Sequence, residues 1–119
     1  MWLITNFGFF SIVQKSSDEG QGTLTVRSRV KSDLEMLKAR YLPGMQEISA
    51  NASHDYKYRA KVSRAELAQA LGQIALDIDY DNFKNSVAEQ QGGTRAHLYG
   101  DVWSTLYRLQ SGQYEEPGE

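Results

Sequence analysis

Val26-Arg27-Ser28-Arg29-Val30 leads into Ser32-Asp33-Leu34-Glu35, and a second stretch of the same kind, Tyr58-Arg59-Ala60-Lys61-Val62, leads into Ser63-Arg64-Ala65-Glu66. In each copy, basic residues alternate with apolar or small ones. Successive side chains of a β-strand point to opposite faces of the sheet, so each copy predicts a strand with one core face and one basic face. A Ser-x-x-Glu capping box follows each strand and predicts a helix there, with Ser32 and Ser63 as the caps.

The chain starts with its most apolar stretch, residues 1–13. Its aromatic and β-branched residues favour a buried strand, with residues 6–8 forming a bulge or a turn. It lacks the basic start and the small-residue cleavage site of a secretion signal, and it is too short to span a bilayer. Residues 16–22 then predict a hairpin loop that returns the chain into the first basic strand.

Helical spacing of apolar residues predicts three helices. The first begins at Ser32 and ends before Pro43-Gly44. The second carries an apolar stripe and continues beyond a bend, and the third is capped by Thr94 and ends before Gly112. The stripe of the second helix consists of Leu67, Leu71, Ile74 and Ile78.

The order of these elements is strand, strand, helix, strand, helix, helix. A hairpin makes the first two strands antiparallel, whereas the helix between the second and third acts as a crossover that makes those two parallel. Placing the apolar first strand in the centre satisfies both conditions. We therefore predict an α+β fold with two layers: a three-stranded, mainly antiparallel sheet of order 2-1-3, which is a split β-α-β relative of ferredoxin-like folds, with three helices on one face.

The composition limits the possible classes of protein. At 119 residues, with 40% hydrophobic and 24% charged residues, the chain suits one compact domain. We place this domain at residues 1–112, followed by an acidic tail at 113–119 that we expect to be disordered. The absence of cysteine excludes a disulfide framework and favours a cytoplasmic location. The net charge of -2 identifies no partner by itself, but the basic residues concentrate on the predicted strands.

The basic sides of these strands form the main candidate binding surface. Its cations are Arg27, Arg29, Lys57, Arg59 and Lys61. Between them, the first strand presents either the side that carries Phe9 or the side that carries Phe10, because a one-residue bulge near Gly8 would exchange the two. We include Phe9 with the five cations in the candidate binding surface, while the choice between the two sides stays open.

An apolar strand bordered by cations fits more than one function. Our first hypothesis is a non-enzymatic binding or assembly domain that acts through this sheet face, as a homodimer or with a protein partner, because a monomer seldom exposes such a patch. The alternative is single-stranded nucleic-acid binding, in which bases stack on rings while cations follow the phosphates. A solvated face, whose apolar residues are covered by Arg and Lys stems, is the third interpretation.

Motifs for catalysis or metal binding are weak. The run from Asp77 to Asn82 resembles the start of a calcium loop, but Asn82 replaces the required glycine and Ala88 the required glutamate. His54 and His97 lack the spacing of metal ligands. We therefore predict no metal, no cofactor and no membrane partner. A second alternative is a small enzyme with its site near the last helix, assembled from His97, Asp101, Tyr99 and Arg95.

Four segments resemble a group of short bacterial proteins with no established activity. They are Gly8-Phe9-Phe10-Ser11-Ile12-Val13-Gln14-Lys15, Leu24-Thr25-Val26-Arg27-Ser28-Arg29, Asp77-Ile78-Asp79-Tyr80-Asp81-Asn82-Phe83-Lys84 and Val102-Trp103-Ser104-Thr105-Leu106-Tyr107. The resemblance covers nearly the whole chain, implies a small cytoplasmic domain and transfers no functional residues. It also suggests that a local site replaces a plain bend between helices. That candidate site consists of Tyr80, Asn82, Phe83 and Lys84.

Overall fold

The structure is a computed structural model that describes residues 1–118. Internal contacts divide the chain into two compact units, Met1–Asp79 and Tyr80–Glu119. The first unit contains a β-sheet with two helices, and the second contains two further helices. The assignment of residues 1–112 to a single α+β domain stays a prediction.

The first unit is built around a five-stranded antiparallel sheet. Its strands are β1 Trp2–Thr5, β2 Gly8–Val13, β3 Thr23–Ser28, β4 Ser49–Ala50 and β5 Tyr58–Ser63. They lie in the order β1-β2-β3-β5-β4, and every neighbouring pair is antiparallel. Helix α1, Lys31–Arg40, follows β3, and helix α2, Arg64–Leu76, follows β5. A 3-10 turn, Ser16–Asp18, lies between β2 and β3.

The predicted three-stranded sheet of order 2-1-3 with three helices is wrong. The first basic strand, β3, lies between β2 and β5 and pairs antiparallel with β5 along its whole length. The connection through α1 is therefore not a parallel crossover. Residues 41–57 reverse the chain once more and add β4 at the edge of the sheet. Residues 1–118 accordingly contain no parallel pair and no split β-α-β arrangement.

The apolar N-terminal stretch forms a hairpin and not one continuous strand. Thr5 organises its turn, because its Oγ1 accepts hydrogen bonds from the backbone N–H groups of Phe7 and Gly8 at 3.2 and 3.0 Å. The same hydroxyl donates to the Gly8 carbonyl at 3.1 Å. Local side-chain bonds of this kind stabilise chain reversals. The turn, one of the two options predicted for residues 6–8, is confirmed, and it places β1 at the edge of the sheet.

The core of the first unit lies between the sheet and helices α1 and α2. Its sheet residues include Phe10, Ile12, Val26, Ala60 and Val62, and its helix residues include Leu34, Leu37, Leu67 and Ala70. The alternation predicted for β3 and β5 is confirmed, since Val26, Ala60 and Val62 all face this core. The open question about β2 is also answered, because Phe10 is fully buried and Phe9 therefore points to the opposite face.

The helices of the first unit begin differently from one another. Ser63 caps α2 as predicted, since its Oγ accepts a hydrogen bond from the N–H of Glu66 at 3.3 Å. The predicted cap at Ser32 is wrong, because α1 already begins at Lys31. Ser28 turns the chain there: its Oγ accepts from the N–H of Val30 at 3.1 Å.

The second unit consists of helix α3, Phe83–Gln91, helix α4, Gly93–Leu106, and a 3-10 turn, Tyr107–Leu109. Asn82 caps α3, because its Oδ1 accepts from the N–H of Asn85 at 2.9 Å. Gly92 joins the helices with a φ of 93°, a conformation that favours glycine. The predicted cap at Thr94 is wrong, since α4 begins one residue earlier.

The last part of the chain follows this turn. Residues 113–118 of the predicted tail contain no helix or strand, and Glu119 lies outside the described residues. The disorder of the tail stays a prediction. No helix within residues 1–118 has the length and apolar character needed to cross a membrane.

Candidate functional site

The sheet face that points away from the core is the candidate binding surface, and we call it the outer face. The strand register joins one residue of each strand into a row across this face. The row consists of Trp2, Ser11, Arg27, Arg59 and Ser49. Neighbouring strands lie about 4.8 Å apart, so roughly 14 Å separates the backbone at Trp2 from that at Arg59. The row therefore has an aromatic residue at one end and a pair of cations towards the other.

Aromatic rings line the Trp2 end of the outer face. The rings of Trp2 and Phe9 meet edge to face with centroids 5.5 Å apart, and the ring of Tyr56 lies 6.2 Å from that of Phe9. Trp2 is 66% exposed, whereas Tyr56 is buried. Alternation extended back from Tyr58 would place Tyr56 on the core side, but residue 56 precedes β5 and its ring lies on the outer face.

Arg27 and Arg59 lie directly opposite each other on β3 and β5. Arg27 Nη2 donates to Ser11 Oγ at 2.6 Å, and Arg59 Nη2 donates to the Tyr56 carbonyl at 3.4 Å. The Nε atom of each arginine is buried without a partner. Among residues 1–118, no carboxylate lies within 4.0 Å of either guanidinium. Like charges directly opposite each other destabilise an antiparallel pair, so these arginines form a cationic site that lacks its counter-charge.

The Tyr56 ring orients two of the arginines. The guanidinium carbons of Arg27 and Arg29 lie 4.6 and 4.4 Å from its centroid, within the range of cation–π interaction. Arg29 Nε also donates to the Asp55 carbonyl at 3.2 Å. The structure thus brings Arg27, Arg29 and Phe9, all predicted for the binding surface, together around one buried tyrosine.

The two predicted lysines make other contacts. Lys57 Nζ lies 5.3 Å from the ring centroid of Tyr58, which packs against the core. Lys61 Nζ donates to Asp18 Oδ1 at 2.7 Å and to Ser17 Oγ at 2.6 Å. The cations that lie over the Tyr56 ring are thus Arg27 and Arg29, and neither lysine is among those described there.

Asp18 anchors Lys61 and is almost fully buried. Besides Lys61, its carboxylate accepts hydrogen bonds from the hydroxyls of Thr23 and Thr25 at 2.6 and 2.8 Å and from the N–H of Lys15 at 2.8 Å. Burial by itself raises the pKa of this carboxyl, but the hydrogen bonds, that of Lys61 foremost, outweigh burial and hold the pKa of Asp18 well below its usual range. Lys61 is therefore committed to the fold, whereas Lys57 and the three arginines of the predicted surface have no ion pair with a described residue.

A second candidate site is a cleft of about 660 Å³ in the second unit. It brings residues of the predicted local site together with residues of the predicted enzyme alternative. Asn82, Phe83 and Lys84 line it from the start of α3, and His97, Tyr99 and Asp101 line it from α4. Tyr80, the remaining local-site residue, contacts the Phe83 ring with centroids 5.9 Å apart, and Arg95 donates to the Tyr99 hydroxyl at 3.2 Å.

The cleft does not contain an assembled acid–base pair. Within residues 1–118, His97 makes no hydrogen bond to a carboxylate or a tyrosine, which a general base would use for orientation. The Asn82 side chain is occupied as the cap of α3. The small enzyme with its site near the last helix stays a prediction.

Asp77, the first residue of the acidic run, is held by side chains of the first unit. Asp77 accepts hydrogen bonds from the Tyr41 hydroxyl at 2.8 Å and from Gln73 Nε2 at 2.7 Å. Burial, followed by the bond to Asp77, raises the pKa of Tyr41. In the part of the chain that the structure describes, no group of three or more His, Asp or Glu side chains could hold a metal ion.

Sequence reasoning missed Trp2, Tyr56 and Asp18 as contributors to the outer face. Trp2 could have been found from the Thr5 turn, since a hairpin there pairs residue 2 with Ser11. Nothing local marks Tyr56 or Asp18, because both lie outside the strands and reach the face through the tertiary fold. Their placement depends on contacts between residues distant in sequence.

Comparison of the chain with protein-family models, with curated proteins and with solved structures finds no significant match. Functional inference therefore depends on the geometry and chemistry of the two candidate sites.

Proposed function

We propose that this chain binds single-stranded nucleic acid on the outer face of its sheet. The observation that carries the proposal is the opposed pair Arg27 and Arg59, which lacks a carboxylate partner and lies in one row with the exposed ring of Trp2. Phosphates supply the missing negative charge, and an unpaired base supplies a flat surface for the indole. A sheet that combines rings with cations is a common platform for single strands.

The arginines are prepared for this role. Arg27 and Arg29 pack on the Tyr56 ring, and Arg59 is tied to the carbonyl of the same residue. Side chains that are already ordered lose less conformational entropy on binding. The guanidinium fork also matches phosphate oxygens better than a lysine ammonium does. Three prepared arginines on the same face as Trp2 therefore favour a ligand with repeated phosphates and exposed rings.

Homodimer formation through the same face is the second candidate, favoured by the 66% exposure of the Trp2 side chain. A two-fold dimer pairs each patch with a copy of itself. Such an arrangement brings the uncompensated arginines of the two chains close together, which opposes association. Nucleic acid, in contrast, neutralises the same arginines, and for this reason it is our first choice.

Replacing both Arg27 and Arg59 by glutamine is expected to weaken binding of a labelled oligothymidylate at least tenfold at low salt. The plot of log affinity against log salt should become shallower by about 1.4, because roughly 0.7 counterions are released per phosphate contact in a single strand. Fluorescence anisotropy at several salt concentrations measures both quantities. The matched control is the double change Lys31→Gln and Lys38→Gln on α1, which removes the same charge from the helical side and should leave binding nearly unchanged.

Trp2→Ala is expected to weaken the same binding about tenfold with little change in salt dependence, because stacking of one base contributes about 1–3 kcal/mol. A Trp103→Phe background leaves Trp2 as the chain's one tryptophan, so quenching of its fluorescence reports the contact directly. Light scattering on the same samples tests the second candidate. A dimer that Trp2→Ala dissociates, together with indifference to oligonucleotide, would refute the nucleic-acid proposal and support assembly.

A further inference from the structure

The cleft of the second unit is lined by aromatic rings on one side. Phe83 of α3 and Tyr99 of α4 stack with centroids 6.1 Å apart and ring planes only 10° from parallel. Trp103, one turn further along α4, also lines the cleft and is 68% exposed. A monomer seldom leaves an indole so open beside other rings, and these faces suit a planar ring of a ligand.

Charges of both signs line the same cleft. Lys84 contributes an ammonium group, and Asp81 and Asp101 contribute carboxylates. Among the described residues, none of these three groups has a hydrogen bond or an ion pair with another side chain. The cleft therefore offers an unpaired cation and unpaired anions next to stacked rings.

Gly100 accounts for the position of the cation. A β-carbon built on Gly100 would lie 3.2 Å from Lys84 Nζ. The ammonium group therefore lies next to a position of α4 that carries no side chain. Glycine inside a helix is less stable than alanine, by about 1 kcal/mol. The atoms that a side chain at residue 100 would meet within 4 Å belong to Lys84 alone, so close backbone packing does not explain this glycine. The glycine leaves space for the Lys84 ammonium group at the surface of the cleft.

We propose that this cleft binds an aromatic zwitterion, a small molecule that carries a planar ring, an ammonium group and a carboxylate, such as an aromatic amino acid. The ring packs against Phe83 and Trp103, the carboxylate pairs with Lys84, and the ammonium group pairs with Asp101. This site lies wholly within the second unit and is independent of nucleic-acid binding on the outer face.

Size and charge favour a zwitterion over a nucleotide or a neutral ring. A volume of about 660 Å³ lies within the range of small-molecule pockets. A nucleotide would bring several negative charges next to Asp81 and Asp101, which opposes binding. A neutral ring would leave all three charged groups without a partner. A zwitterion pairs charges of both signs while its ring remains on the aromatic side.

Titration of the full-length, ¹⁵N-labelled chain with four indole compounds tests the proposal by NMR. Tryptophan carries both charges, tryptamine lacks the carboxylate, indole-3-propionate lacks the amine, and indole lacks both. We expect tryptophan to bind at least fivefold more tightly than each of the others, with the largest shifts at the amides of residues 81–84 and 97–104. Equal or tighter binding of tryptamine, or no saturable shift with any compound, would overturn the assignment.

Variants assign each charge to its partner. Lys84→Met should abolish the preference for tryptophan over tryptamine, and Asp101→Asn should abolish the preference over indole-3-propionate. The matched controls Arg108→Met and Glu89→Gln change the same charges in this unit outside the cleft and should preserve both preferences. Gly100→Leu should remove binding by displacing Lys84, while its higher helix propensity keeps α4 folded. Tight tryptophan binding by a folded Gly100→Leu variant would contradict the proposal.

Discussion

Replacing Asp18 by alanine is expected to lower the free energy of unfolding by about 3 kcal/mol, because it removes a buried carboxylate and leaves its donors without an acceptor. Those donors are the hydroxyls of Thr23 and Thr25 and the N–H of Lys15, together with the ammonium group of Lys61. The loss is a large part of the 5–15 kcal/mol that holds a domain of ordinary stability together. Urea denaturation followed by circular dichroism measures it.

Asp79→Ala provides the control for this experiment, since Asp79 is an exposed acidic residue of the same unit. We expect it to change stability by less than about 0.5 kcal/mol, as surface substitutions usually do. Similar denaturation midpoints for the two variants would contradict the role assigned to Asp18.

The same carboxylate makes stability depend on pH. The pKa of Asp18 is lowered in the folded chain, so its stabilisation is complete well above the ordinary value of 3.8 and is lost as the pH falls below that value toward the folded-state pKa. The difference in unfolding free energy between the native chain and Asp18→Asn should therefore be constant from about pH 7 to pH 5 and should shrink toward pH 3. A difference that stays constant down to pH 3 would show that ionisation of Asp18 does not stabilise the fold.

Gly8→Ala is expected to destabilise the first unit by about 2–3 kcal/mol, the range of overpacking in a closely packed core. A β-carbon at residue 8 would lie 2.7 Å from the ring of Phe10 and 2.9 Å from the β-carbon of Asp33. Neither neighbour can move freely, because Phe10 is fully buried and Asp33 Oδ2 accepts from the N–H of Phe9 at 3.0 Å. Thermal and urea denaturation measure the loss.

Gly72→Ala in helix α2 is the control for Gly8→Ala. A β-carbon at residue 72 meets no atom within 4 Å, so alanine should raise stability by up to about 1 kcal/mol through helix propensity. Phe10→Leu shortens the clashing ring, and the double variant Gly8→Ala with Phe10→Leu should cost less than the sum of the single changes. Simple additivity would show that the close approach to Phe10 is not the cause.

The outer face illustrates how much of a site local patterning predicts. Alternation along β3 and β5 placed Arg27 and Arg59 on the face opposite the helices, and the structure has them there. Alternation failed at Tyr56, because this residue lies before β5 and follows the course of a loop. It also gave no sign that Asp18 would take Lys61 away from the binding surface, since the two are 43 residues apart. Local periodicity predicts the orientation of a side chain within a strand but not its partner.

Predictions of helix boundaries from local sequence were only partly correct. The Ser63 cap is confirmed, whereas the Ser32 cap, predicted from the same Ser-x-x-Glu spacing, is wrong because α1 already begins at Lys31. The single helix predicted to continue past a bend is instead α2 of the first unit and a separate α3 of the second, which is capped by Asn82. A cap residue can begin a helix anywhere a turn allows it, and the contacts that decide between a bend and a break come from the rest of the chain.

The sequence by itself determined the α+β class, the existence of both basic strands, and the division of their residues between core and outer face. These properties follow from alternation and capping, which act over a few residues. The tertiary structure alone decided that β3 lies beside β5, that Arg27 meets Arg59, and that Tyr56 lies beneath the arginines. Strand order depends on how residues 41–57 return the chain to the sheet, and no local pattern of polar and apolar residues encodes that path.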